Sequence, residues 1–90
     1  MITIDEELNR LNMEVVELYQ KKEYSGAIKV ATQALEFGEK FLGPKHPNIS
    51  TTLNNLAVLY EKTGDQDRAA PLRQWNLQLL GNRTLNTQTA

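Results

Sequence analysis

The sequence contains no cysteine and one histidine. It therefore has no disulfide framework, no thiolate nucleophile and no two-histidine metal site within one chain. It has no long apolar run of the roughly 20 residues a membrane-spanning helix needs, so no membrane association is expected. A net charge of −1 leaves no basic footprint for nucleic acid or an anionic membrane surface. The opening MITIDEEL carries acidic residues where a signal peptide needs basic ones. A cytoplasmic, reduced setting is the default expectation. No glycine-rich phosphate loop or nucleophile elbow is present. The carboxylates are scattered over helix faces rather than paired. No cofactor, no metal and no catalysis are expected. Ninety residues make one domain at most, burying about 60–65% of the unfolded surface.

Glycine and proline are scarce, and their positions organise the chain. The stretch Leu42 to Gly64 reads LGPKHPNISTTLNNLAVLYEKTG. Gly43 and Pro44 break the preceding helix. Pro47 suits the first turn of the next, because its fixed φ is helical and its missing N–H would have no partner there. Ile49, Leu53, Leu56, Ala57 and Tyr60 then share one helical face. Gly64 can close that helix in the left-handed conformation, and Asp65 can cap the next. His46 is read as a cap of the third helix rather than a metal ligand.

Four helices follow. The first runs from Ile2 to Lys21, with Thr3 and Glu6 as a capping box and a stripe of Ile4, Leu8, Leu11, Val15 and Leu18 widened by Val16 and Tyr19. Lys22 to Tyr24 is a tight turn without glycine. The second reaches about Leu42 on a stripe of Ala27, Ile28, Ala31, Ala34, Leu35, Gly38 and Phe41. The third covers Pro47 to Thr63. The fourth covers Asp65 to about Leu80, with a bend or delayed start expected at Pro71. Gly81 ends it, and residues 82–90 form a flexible tail.

Leu18-Tyr19 and Leu59-Tyr60 lie 41 residues apart, whereas Ala27 and Ala69, or Leu35 and Leu77, lie 42 apart. The step implies two helix-turn-helix units with one residue deleted from the first turn. A period of this length built from helix pairs marks an α-solenoid. Leu56, Ala57, Tyr60, Gly64, Ala69 and Leu77, and in the first unit Val15, Val16, Tyr19, Tyr24, Ala27, Ala34 and Leu35, fall at signature spacing. On these residues the chain resembles the tetratricopeptide repeat family. Its loop Leu42-Gly43-Pro44-Lys45-His46-Pro47 and helix Leu53-Asn54-Asn55-Leu56-Ala57 are similar to the 42-residue repeats of kinesin light chain. The fold expected is all-α: two stacked repeats, about 5–42 and 47–80, in a short right-handed solenoid domain of residues 1–81. Arg73, Pro71 and Asn12 depart from the family's pattern.

The resemblance implies a non-enzymatic module that binds a peptide or protein segment in a concave groove lined by the first and third helices. Position by position, the groove residues would be Arg10, Met13, Glu14, Glu17, Gln20 and Lys21, then Thr51, Asn54, Asn55, Val58, Glu61 and Lys62. Asn55 falls where the family often bonds a peptide backbone, and an amide offers both a donor and an acceptor. Glu14 and Glu17 would repel an acidic tail, which points to a neutral or basic ligand. The alternative is a structural module that assembles with itself. Leu72, Trp75, Leu79 and Leu80 would have no later helix to cover them, and such a patch marks an interaction site. A homo-oligomer is therefore expected, unless Trp75 folds inward against its own chain.

Overall fold

The computed structural model describes the backbone of residues 1–88 and the side chains of residues 1–81. Its four helices are α1 (Ile4–Gln20), α2 (Tyr24–Phe41), α3 (Ser50–Lys62) and α4 (Gln66–Gln88). A 3₁₀ turn, Pro47–Ile49, leads into α3. Helices α1 and α2 pack as one antiparallel pair and α3 and α4 as another. Helices α2 and α3 join the pairs, with lighter contact between α1 and α3. The core draws on every element before α4: Val15 from α1, Ala27, Ala31 and Leu35 from α2, Ile49 from the 3₁₀ turn, and Leu53, Leu56 and Leu59 from α3.

Local chemistry fixes the helix starts. The Thr3 hydroxyl accepts from the Glu6 N–H at 3.1 Å, and the Glu6 carboxylate accepts from the Thr3 N–H at 2.9 Å. This is the reciprocal capping box read from the sequence. His46 Nδ1 accepts from the Asn48 N–H at 3.1 Å, so the single histidine caps the 3₁₀ turn that feeds α3. Asp65 Oδ1 accepts from the Arg68 N–H at 3.2 Å at the start of α4.

The two turns inside the helix pairs are the same length, which corrects the deletion read from the sequence. Lys22 N–H donates to the Tyr19 carbonyl and Gly64 N–H to the Glu61 carbonyl; Glu23 N–H donates to Leu18 and Asp65 N–H to Tyr60. Each matched pair lies 42 residues apart. Lys22 sits at φ 63 and Gly64 at φ 84, so a lysine takes the left-handed conformation that glycine takes in the second unit. The equivalent positions in α1 and α3 are therefore Leu11 and Leu53, Val15 and Ala57, Leu18 and Tyr60. Burial agrees. Val15 is 2% exposed, like Ala57 at 0%, whereas Val16, matched to Ala57 by the 41-residue spacing, is 44% exposed. A left-handed lysine carries a steric cost that glycine does not. Lys22→Gly is expected to raise the unfolding free energy by about 1 kcal/mol, read as a shift in urea midpoint at unchanged slope.

Three further readings change. Phe41 is half exposed rather than on the buried stripe, and stacks on Phe37 with ring centroids 4.9 Å apart. Helix α4 begins at Gln66 and runs through Pro71. Pro71 removes one backbone hydrogen bond, the one that would run to the Asp67 carbonyl. The helix also continues past Gly81 to Gln88. Gly81 has no positive φ, so it supplies no left-handed stop. Residues 89–90 of the expected tail lie outside the described residues.

Candidate functional site

Helices α1 and α3 run side by side and leave two adjoining hollows between them. One, of about 340 Å³, is lined by Asn9, Asn12, Met13, Val16, Glu17, Thr51 and Asn55. The other, of about 260 Å³, is lined by Val15, Val16, Tyr19, Asn54, Asn55, Val58 and Leu59. They share Val16 and Asn55. Helical spacing produces this lining. Asn9, Asn12, Met13, Val16 and Tyr19 recur at three and four residues along one side of α1, as Thr51, Asn54, Asn55 and Val58 do on α3.

Of the residues named from the sequence, Met13, Glu17, Thr51, Asn54, Asn55 and Val58 come together here. Arg10, Glu14, Gln20, Lys21, Glu61 and Lys62 line neither hollow. Arg10 is held outside by Glu7 at 2.8 Å and Glu14 at 3.7 Å, while Lys21 and Lys62 sit exposed at the ends of their helices. Asn9, Asn12, Val16 and Tyr19 were missed. They are the positions 42 residues before Thr51, Asn54, Val58 and Glu61, so a uniform repeat length would have found them.

Beneath the groove, the Thr52 hydroxyl donates to Asn12 Oδ1 at 3.0 Å across the α1–α3 boundary, and both residues are buried. Asn12, a departure from the apolar pattern, is thus satisfied by a partner on the facing helix. Asn55 differs. Its side-chain Nδ2 is buried and has no hydrogen-bond partner. A buried, unpaired donor costs on the order of 1–3 kcal/mol, and this one lies on the lining common to both hollows.

Asn54 is engaged from behind. Arg73 of α4 donates to Asn54 Oδ1 at 2.8 Å, and to both oxygens of Glu61 at 3.0 and 2.6 Å. These hydrogen bonds hold the Glu61 carboxyl below its usual value and raise Arg73. Because the Glu61 pKa is lowered in the folded state, the pair stabilises the fold above the ordinary carboxylate pKa of about 4.3. That contribution is lost as pH falls through the lowered value. Glu61→Gln is expected to show a shallower loss of stability between neutral and acid pH than the parent chain. The difference is modest because the pair is about one-third exposed, and urea melts at the two pH values measure it.

On the opposite side of α4, Trp75 is half-buried against the core, and its indole N–H donates to the Pro44 carbonyl at 2.9 Å. Leu72 and Leu79 also pack against the core. Leu77 and Leu80 are 63% and 44% exposed. The apolar end patch expected from the sequence is thus largely folded inward. An open hollow of about 650 Å³ remains between the Pro44–Lys45 loop and Trp75, Leu77 and Leu79.

Among the described residues, no group of three or more His, Cys, Asp or Glu is placed to hold a metal ion, and no helix is long and apolar enough to cross a membrane. The sequence model of the tetratricopeptide repeat matches residues 14–75. A comparison with curated proteins finds no match.

Proposed function

Because the chain belongs to the tetratricopeptide repeat family, whose members generally mediate protein–protein interaction, we propose that it binds an extended peptide or protein segment in the α1–α3 groove. The observation that carries this reading is Asn55. Its buried Nδ2 lacks a partner where the groove is lined by Val16, Tyr19 and Val58 on one side and Asn9, Met13 and Thr51 on the other. A peptide carbonyl oxygen would satisfy the donor once the Asn55 side chain turns into the groove, and an apolar side chain would cover the valines. Glu17 lines the groove, but Glu14 does not, so the argument against an acidic ligand rests on one carboxylate. The favoured ligand is a neutral segment read through its main chain, in a cytoplasmic setting.

The test is a peptide selected on the parent chain from a displayed random library. Asn55→Ala is expected to weaken capture of that peptide at least tenfold, while stability holds or rises by about 1 kcal/mol because the unpaired donor is gone. Unchanged capture would remove Asn55 from the site.

A second reading, self-assembly through α4, draws on the exposure of Leu77 and Leu80. Here Leu77 and Leu80, rather than Trp75 and Leu72, would face the second copy about a two-fold axis. Molar mass over a hundredfold range of concentration separates the readings. A constant value at the 10.2 kDa of the single chain rules out the homo-oligomer, and a stable dimer supports it.

A further inference from the structure

Arg73 lies outside the groove, on the helix behind it, yet it determines what the groove presents. A guanidinium carries donors and no acceptor. Arg73 Nη1 approaches the Asn54 side chain at 2.8 Å, so the amide can face it only with its oxygen. That assignment is fixed by chemistry rather than by choice of rotamer. It points the Asn54 oxygen at α4, and among the described residues neither of its side-chain N–H groups has a partner. The guanidinium is itself held by a two-pronged contact with Glu61, at 3.0 and 2.6 Å, so the clasp is anchored on α3 about two turns away from Asn54.

The repeat shows why this clasp is particular to the second unit. At the uniform spacing of 42, Arg73 matches Ala31 of α2. Ala31 is fully buried, in the helix that packs against α3. Where α2 leaves room for the next helix, α4 places a guanidinium that reaches back to α3. The matched residue of Asn54 is Asn12, whose carbonyl is taken by Thr52. Both groove asparagines at this repeat position therefore have the oxygen occupied, by a different donor in each unit.

From this geometry we infer that Arg73 is a positioning residue for recognition: it orients the Asn54 amide so that Asn54 and Asn55 offer adjacent N–H donors to acceptor oxygens of the bound segment. The inference rests on the groove reading above and adds the polarity of the contact. The ligand should present a main-chain carbonyl oxygen at this point.

The experiment uses the peptide selected on the parent chain and measures its Kd by fluorescence anisotropy. Arg73→Met keeps the aliphatic stem and removes the donors, and is expected to weaken binding about tenfold, the size of one lost hydrogen bond. Asn54→Ala should weaken it similarly, and the double variant should be no weaker than either single one. Asn54→Asp separates positioning from fold support: it strengthens the pairing with Arg73, so Tm should hold or rise, while loss of the N–H donors weakens binding at least tenfold. The C-terminal amide form of the peptide should bind as tightly as the free acid, and a loss of affinity would mean that a carboxylate is bound instead of a main-chain carbonyl. Additive losses in the double variant, or Asn54→Asp binding as well as the parent chain, would overturn the positioning role. If Arg73→Met has no effect and Asn55→Ala does, the groove stands and this inference falls. If neither has an effect, or no peptide is enriched, the groove reading falls with it.

Discussion

Leu53→Ala is expected to lower the free energy of unfolding by about 3 kcal/mol. Leu53 is 0% exposed and belongs to the cluster that joins α1, α2, the 3₁₀ turn and α3. Truncation removes apolar transfer energy and leaves a void in the cluster where the two helix pairs meet. Neighbours cannot easily collapse into it, since Ile49 and Leu59 are fully buried as well. A chain of this length has a total stability of roughly 5–10 kcal/mol, so a large share of it is at stake. The effect should appear in urea unfolding as a lowered midpoint at unchanged slope. A loss below about 1 kcal/mol would mean that the two helix pairs do not share one core.

Gly38→Leu is expected to cost about as much, for the opposite reason. A Cβ at Gly38 would stand 2.8 Å from the Ile49 Cγ2 methyl and 3.7 Å from a Leu8 methyl. Helix α2 touches the 3₁₀ turn through a surface with no side chain. A leucine there must displace Ile49, which is 0% exposed and has nowhere to go. Overpacking of this kind costs about 3 kcal/mol at the upper end of its usual range, well above the propensity gained on replacing glycine in a helix, about 1 kcal/mol. At the 42-residue spacing the matched residue in α4 is Leu80, which is 44% exposed. The same side chain is thus carried half-exposed in α4 and excluded where α2 meets the 3₁₀ turn. A thermal melt within a few degrees of the parent would contradict the close approach of α2 to the turn.

The helix pairs, the capping box, the histidine cap and the two stacked repeats were legible in the sequence because each depends on short-range spacing. The first turn was not. Lys22 adopts a backbone conformation that sequence statistics reserve for glycine, so a turn of full length read as a turn with a deletion. That single residue moved the expected groove of α1 by one position. It put Arg10 in the place of Asn9 and Glu17 in the place of Val16, and left Met13 as a residue that satisfies both registers. On α3, where Gly64 marks the turn openly, Asn54, Asn55 and Val58 were placed on the groove from the start. Trp75 stood open between an inter-chain patch and an inward fold for a different reason. Its pairing with the Pro44 carbonyl spans 31 residues, and no local pattern carries such a contact. The Arg73 clasp on Glu61 and Asn54 was hidden in the same way, with Arg73 legible only as a polar residue at an apolar position.

The central claim is that the α1–α3 groove is the binding surface. Chemical-shift mapping of the selected peptide on the isotopically labelled chain tests it most directly. The largest perturbations are expected on the backbone amides of Asn9, Met13, Val16, Thr51, Asn55 and Val58 and on the side-chain NH₂ groups of Asn54 and Asn55, with Leu77 and Lys45 unmoved. Perturbations centred instead on Lys45, Trp75 and Leu77 would place the interaction on the far side of α4 and contradict it.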